Sequence, residues 1–384
     1  MAFEGLDGIV EAHRRTDAVP GLSVAVAMGG RVRWLRGFGM ADLAAGSRAR
    51  PETAYLWFSM TKIVTATAVM RLAERGVIDL DAPVTDYVPP FAAVRRAAAV
   101  TVRHLLSHSS GLANPVPVRW VHAAGIPGPD ARAFVERLLA RHRTLKFRPG
   151  ERARYSNLGY LVLGEAVANV TGVPFTDAVR ALVLDPLGMR HTGFTYEECG
   201  GAAATGYQRL AAPLTPLLRA VLPAGIVGGR HGRYVAYRPF HVHGAAYGGL
   251  VGGVDDAVRL AMLHLDDGAA ATGGHLLSPG AVAAMRRIVP RGGRYDFGLG
   301  WYRPSGPRTG PDFVEHLGGG SGFFTVLRLY PAQRLGVVVM GNTTRYDHES
   351  LLAAIARYAM SRSEPAPGGT AGGWLGGTPG DPAR

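Results

Sequence analysis

Ser59 and Lys62 stand three residues apart in the segment Trp57-Phe58-Ser59-Met60-Thr61-Lys62. On a helix that spacing puts both side chains on one face, so the Lys62 amine can meet the Ser59 hydroxyl. A serine with a basic neighbour is a potential nucleophile. Lysine is otherwise almost absent, because all 42 basic residues except Lys62 and Lys146 are arginine. That bias reflects codon composition more than surface chemistry, yet arginine cannot give up its proton near neutral pH and a buried lysine can. Ser-x-x-Lys recurs often by chance, so companion groups must carry the assignment.

Two further segments supply them. Tyr155-Ser156-Asn157 follows the Pro149-Gly150-Glu151 turn and precedes a helix expected to begin near Leu158. His316-Leu317-Gly318-Gly319-Gly320 enters a C-terminal strand. A phenol at Tyr155 would offer a second base if the fold brings it to the serine, and an ammonium nearby would lower its usual pKa of ~10. The Asn157 amide can bond Lys62 or a substrate amide, and the glycines let a strand edge come close to a bound substrate.

With these three segments the chain resembles the serine β-lactamase and penicillin-binding-protein superfamily, in particular its class C-like branch of esterases, D-amino-acid peptidases and transacylases. Further similar stretches are the run from Phe58 to Pro83, Val102 to Leu112, Asp185-Pro186-Leu187-Gly188-Met189 and Tyr247-Gly248-Gly249-Leu250. Together they span roughly residues 20 to 345 in the expected order. The resemblance implies an α/β (α+β) fold of the β-lactamase/transpeptidase type, an antiparallel sheet flanked by terminal helices with a mostly helical insertion. It implies that Ser59, Lys62 and Tyr155 are catalytic and that Ser59 forms an acyl-enzyme with no metal or other cofactor. Asn157, His316 and Gly318 would bind substrate, and the backbone N–H groups of Ser59 and Gly319 would form the oxyanion hole. Which of Lys62 and Tyr155 takes the serine proton stays open.

Position 316 departs from the Lys-Thr-Gly motif of many β-lactamases and penicillin-binding proteins. Lysine, with a pKa of ~10.4, is a standing cation, whereas histidine at ~6.5 is mostly neutral at neutral pH. The change weakens a carboxylate anchor and favours esters, amides or amino-terminal substrates over β-lactams and D-alanyl-D-alanine. Histidine there also occurs among the family's esterases and aminopeptidases. The expected activity is a serine hydrolase acting on ester or amide bonds of small acyl substrates. A biosynthetic transacylase, a β-lactamase or D-alanyl carboxypeptidase, and a catalytically silent penicillin-binding-like module are the alternatives.

The elements that must position these groups can be read outward from them. Leu22, Val24 and Val26, the Gly29-Gly30 turn, and Val32, Trp34 and Leu35 predict a β-hairpin. Ile63, Ala66, Met70, Ala73 and Val77 predict an amphipathic helix stopped near Gly76, with Ser59 at or near its N-terminus. Helices are expected over Ala131 to His142, Leu158 to Thr171, Val254 to Leu265 and Glu349 to Ser361, and strands over Phe323 to Tyr330 and Leu335 to Met340. Alternation is sparse between about Asp81 and Tyr295, and Leu217 to Val227 reads as a loop or lid. The economical organisation is one domain over 1–362, with an α/β part from about 1–80 and 295–362 and a helical insertion over about 81–294. The Pro- and Gly-rich segment 363–384 is expected to be disordered.

Composition limits the alternatives. The 384 residues are 47% hydrophobic, which suits a globular protein with a large core. A formal charge of +13 would suit nucleic acid. No zinc-finger spacing, aromatic RNA-binding signature or lysine-rich tail accompanies it, so a small acyl substrate is the expected partner. No span of ~20 apolar residues is evident, and the N-terminus shows no secretory pattern, which points to a cytoplasmic location. The oligomeric state is not legible. Cys199, the single cysteine, leaves no internal disulfide. His104 and His108 at helical spacing, with His241 and His243, could bind zinc, but a structural helix end explains the first pair better. The basic stretch Arg141, Arg143, Lys146, Arg148, Arg152 and Arg154 is either a solvated face or a rim attracting anions.

Overall fold

A computed structural model describes residues 3–200, 203–270, 273–289, 291–307 and 309–362. The segment expected to be disordered, 363–384, lies outside the described residues. The main sheet is antiparallel and runs in the order Tyr295–Phe297, Tyr302–Pro304, Val314–Gly320, Phe323–Tyr330, Leu335–Gly341, Gly21–Met28, Arg31–Asp42, Ser47–Arg48. The first hairpin thus pairs with strands from the far end of the chain, Leu22 opposite Gly341 and Met28 opposite Leu335.

Strand Gly21–Met28 is buried along its whole length, and alternation sorts its side chains to two cores. Leu22, Val24, Val26 and Met28 pack with Leu6 and Val10 of the first helix, Gly5–Thr16, and with Leu352 and Ile355 of the last, His348–Ser361. Ala25 and Ala27 face the other way, toward the core that holds helix Val254–Leu265. Small residues on that face let the helix approach closely: a Cβ at Gly336 would lie 3.1 Å from Ala261 and Leu265. One buried ion pair crosses the sheet, with Arg328 reaching Glu315 at 2.7 Å.

The helix after Ser59, Thr61–Glu74, is not amphipathic as its spacing suggested. Every residue from Thr61 to Met70 is buried, because helix Asn157–Thr171, the segment around Tyr247 and the main sheet enclose it on several sides. The stretch Leu217 to Val227 is likewise not a simple loop. Thr215–Val221 is a short helix and Val227–His231 a strand. Short strands also form between residues 81 and 295, where alternation is sparse. Gly206–Arg209, Tyr234–Tyr237 and Val227–His231 make a three-stranded sheet, and Val121–Ala123 pairs with Phe240–Val242. Among the described residues no single helix is long and apolar enough to cross a membrane.

Candidate active site

Ser59 sits in a 3₁₀ turn, Phe58–Met60, that runs straight into helix Thr61–Glu74. Phe58 precedes it at φ 46°, a left-handed conformation that costs a non-glycine residue ~1 kcal/mol. Contacts on both sides hold the turn there. Trp57 N donates to Leu250 O at 2.8 Å, its indole donates to Gly252 O at 3.2 Å, and Thr325 Oγ1 donates to Trp57 O at 2.9 Å.

Lys62 is fully buried. Its Nζ donates to Asn157 Oδ1 at 2.9 Å and to Tyr247 O at 2.8 Å, and stands 3.1 Å from Ser59 Oγ. The rings of Tyr155, Tyr160 and Tyr247 surround it at 4.9, 5.4 and 5.2 Å. Ring faces favour a cation modestly, but burial penalises it more, and the lysine pKa is driven well below its ordinary value. Among the described residues no carboxylate bonds this amine to offset that loss.

Tyr155 overturns one expectation. Burial raises the pKa of its phenol, opposed by a hydrogen bond with Ser59, so the phenol stays protonated instead of being acidified by an ammonium next to it. The segment that carries it is anchored by residues absent from the expected site. His108 Nδ1 accepts from Ser156 N at 3.2 Å, and Asn114 Oδ1 accepts from Asn157 N at 2.9 Å. Ser156 caps helix Asn157–Thr171 by accepting from Gly159 N. His108 and His104 therefore do not converge on a metal: His104 Nδ1 closes a capping box with Thr101. His241 and His243 lie against His122, at ring separations of 5.7 and 5.0 Å. The described group whose ligand atoms come within 4.8 Å of one another is His191, Asp255 and Asp256, and these already bond each other and the backbone.

His316 is buried beneath strand Val314–Gly320, its ring 4.7 Å from Tyr302 and 6.2 Å from Tyr155. Nδ1 lies 2.8 Å from Leu317 O, whereas Nε2 has no partner among the described residues. Burial first, then Lys62, pushes its pKa down to about 3, so the imidazole is neutral across the physiological range. The glycines after it set the approach of this strand to the serine turn. A Cβ at Gly318 would lie 1.9 Å from Trp57 O, and one at Gly320 2.3 Å from the Phe58 ring. Beyond Glu315, which pairs with Tyr302, that edge has no ladder partner among the described residues, and Gly319 is exposed.

Ser59, Lys62, Tyr155 and Asn157 thus meet at one point, with His316 behind Tyr155 and Gly318–Gly320 against the turn. Tyr247 was not singled out from the sequence as a site residue. The Tyr247-Gly248-Gly249-Leu250 run was the available signal, but the group in use is a backbone carbonyl.

Residues 6–360 match the family described as Beta-lactamase. Esterase EstB of Burkholderia gladioli is 35% identical over 274 residues, 66% of this chain and 68% of that protein. The D-alanyl-D-alanine-carboxypeptidase/endopeptidase AmpH of Escherichia coli is 25% identical over 332 residues, 85% of this chain and 81% of that protein. The octameric penicillin-binding protein homologue from Pyrococcus abyssi superposes with a TM-score of 0.72 at 26% identity, covering 94% of this chain and 77% of that one. With the family match reaching over nearly the whole chain, this protein belongs to the beta-lactamase family and is a serine hydrolase of the β-lactamase and penicillin-binding-protein type.

Proposed function

We propose that Ser59 attacks the acyl carbon of small ester or amide substrates and forms an acyl-enzyme that water then resolves. The observation that carries this reading is the hydrogen bonding of Lys62. Its two firm acceptors, Asn157 Oδ1 and Tyr247 O, use both N–H bonds of a neutral amine, and the remaining direction points at Ser59 Oγ, 3.1 Å away. Burial lowers the amine pKa and so favours the free amine, and in that form this direction carries a lone pair to which the serine hydroxyl donates.

In acylation the Oγ–C bond forms as the serine proton moves to Lys62 Nζ, and the backbone N–H groups of Ser59 and Gly319 hold the oxyanion. Each such donor contributes ~3 kcal/mol to the transition state. Collapse breaks the bond to the leaving group, which takes a proton from the Tyr155 phenol. The proton that Lys62 took from the serine then returns to the phenolate, so both groups end as they began. Deacylation repeats the transfers with water as nucleophile. Asn157, His316 and Gly318 position the substrate, with His316 acting as a neutral group.

Support for ester and amide substrates comes from the esterase and carboxypeptidase relatives, and the neutral imidazole at 316 disfavours a carboxylate anchor. Turnover of p-nitrophenyl esters, with nitrocefin in parallel, tests the proposal. Ester hydrolysis should be abolished in Ser59→Ala and nitrocefin cleaved poorly. Ester turnover that survives Ser59→Ala would reject Ser59 as the nucleophile.

A further inference from the structure

A surface cavity of about 500 Å³ is lined by Arg95, Arg96, Lys146, Arg148 and Arg152, with Glu151 as its single carboxylate. All five cations are exposed, and none forms an ion pair among the described residues. Glu151, held in the turn where its Oε2 accepts from Arg148 N at 3.2 Å, offsets one of the five charges and leaves an excess of four. Like charges gathered around one concavity repel, and a bound anion relieves that repulsion.

The walls are also fixed in place. Arg95 N donates to Arg143 O at 2.7 Å and Lys146 N to Gly111 O at 2.7 Å. The Arg152 guanidinium rests 4.9 Å from the Phe147 ring, and Arg96 holds a left-handed backbone at φ 64°. Guanidinium forks match phosphate oxygens in pairs, so four arginines converging on a small concavity suit a compact polyanion better than a single carboxylate. An extended nucleic acid would need a long basic stripe, whereas this is one pocket.

We infer that this cavity is an anion-binding site for a phosphate-bearing group with at least two negative charges, distinct from the acyl-transfer centre. The same chain runs from Arg152 to Tyr155, and Arg154 N donates to His108 O at 2.8 Å, so the ligand would sit beside the segment that carries the phenol.

Calorimetric titration of the full-length protein with inorganic pyrophosphate at low salt tests the inference. One equivalent should bind, with a Kd raised at least about tenfold in Arg96→Ala/Arg148→Ala and raised by added salt. Arg75→Ala/Arg357→Ala, which removes the same charge outside the cavity, should bind like the parent, and thermal melts confirm that both variants fold. Sedimentation with phosphatidylglycerol vesicles separates the sources. Vesicle binding that is lost in Arg96→Ala/Arg148→Ala and displaced by pyrophosphate assigns a lipid headgroup, and pyrophosphate binding without vesicle binding assigns a soluble phosphate. Binding of neither probe, or equal weakening by the two double variants, overturns the inference whatever the fate of the Ser59 mechanism.

Discussion

Replacing Asn157 by aspartate changes one atom and puts a carboxylate where an amide oxygen lies 2.9 Å from Lys62 Nζ. At that distance opposite unit charges attract by ~5.7 kcal/mol at an effective dielectric of about 20, and by ~1.4 kcal/mol at the bulk-water limit of about 80. At ~1.36 kcal/mol per pH unit, the lysine pKa rises by between about one and four. The free amine is the form that accepts the serine proton, so raising its pKa narrows the pH range in which the base is present. The acid limb of the kcat/KM profile for a p-nitrophenyl ester should move to higher pH by that amount, and on the acid side of both limbs turnover at a fixed pH should fall about tenfold for each pH unit the limb moves. Aspartate would also raise the pKa of a phenolate base. Tyr155→Phe distinguishes the two: the plateau falls, while the limb set by Lys62 stays near its parental position. A limb that keeps its place in a folded Asn157→Asp variant would refute the reasoning, as would one that disappears in Tyr155→Phe.

Gly318→Ala should cost more than ~2 kcal/mol in urea denaturation and lower kcat about a hundredfold, because its Cβ meets Trp57 O at 1.9 Å and must push the strand off the serine turn. Gly319→Ala, whose Cβ would lie 3.2 Å from the Phe324 ring, should destabilise less, and equal costs would contradict this. Burial pushes both His316 and His264 down to about 3, below the ~6.5 of the unfolded chain. As pH falls below ~6.5 the unfolded state takes up protons first, so their contribution to stability, complete above ~6.5, declines toward pH ~3 and has lost ~3 kcal/mol per histidine by about pH 4.5. Melts from about pH 7 to 4.5 should show this, His264→Leu should flatten the slope, and an unchanged slope would argue against it.

Much of the architecture was legible where local pattern and final environment coincide. The hairpin around Gly29-Gly30, the helix Val254–Leu265 and the strands Phe323–Tyr330 and Leu335–Gly341 all keep the periodicity that announced them. The Thr61–Glu74 helix misled because its polar residues Thr61, Lys62, Thr65 and Thr67 are buried by tertiary packing, with partners that can lie far away in the chain, as where Thr65 Oγ1 donates to Ala246 O at 2.7 Å. Val121–Ala123 and Phe240–Val242 were not readable as strands because each has three residues and its partner is far away in the chain. Ser59, Lys62, Tyr155 and Asn157 were legible because their side-chain chemistry is their signature. The Tyr247 carbonyl and the left-handed Phe58 backbone carry no such mark in residue type. The direction in which the Tyr155 pKa moves depended on burial, which a motif does not reveal.

The central claim is that Ser59 carries the acyl group. Intact-mass measurement after treatment with a fluorophosphonate, followed by peptide mapping, tests it most directly. One adduct on the peptide containing Ser59, absent in Ser59→Ala, is the expected result. An unlabelled parent, or an adduct that persists on another residue in Ser59→Ala while ester turnover continues, would contradict it.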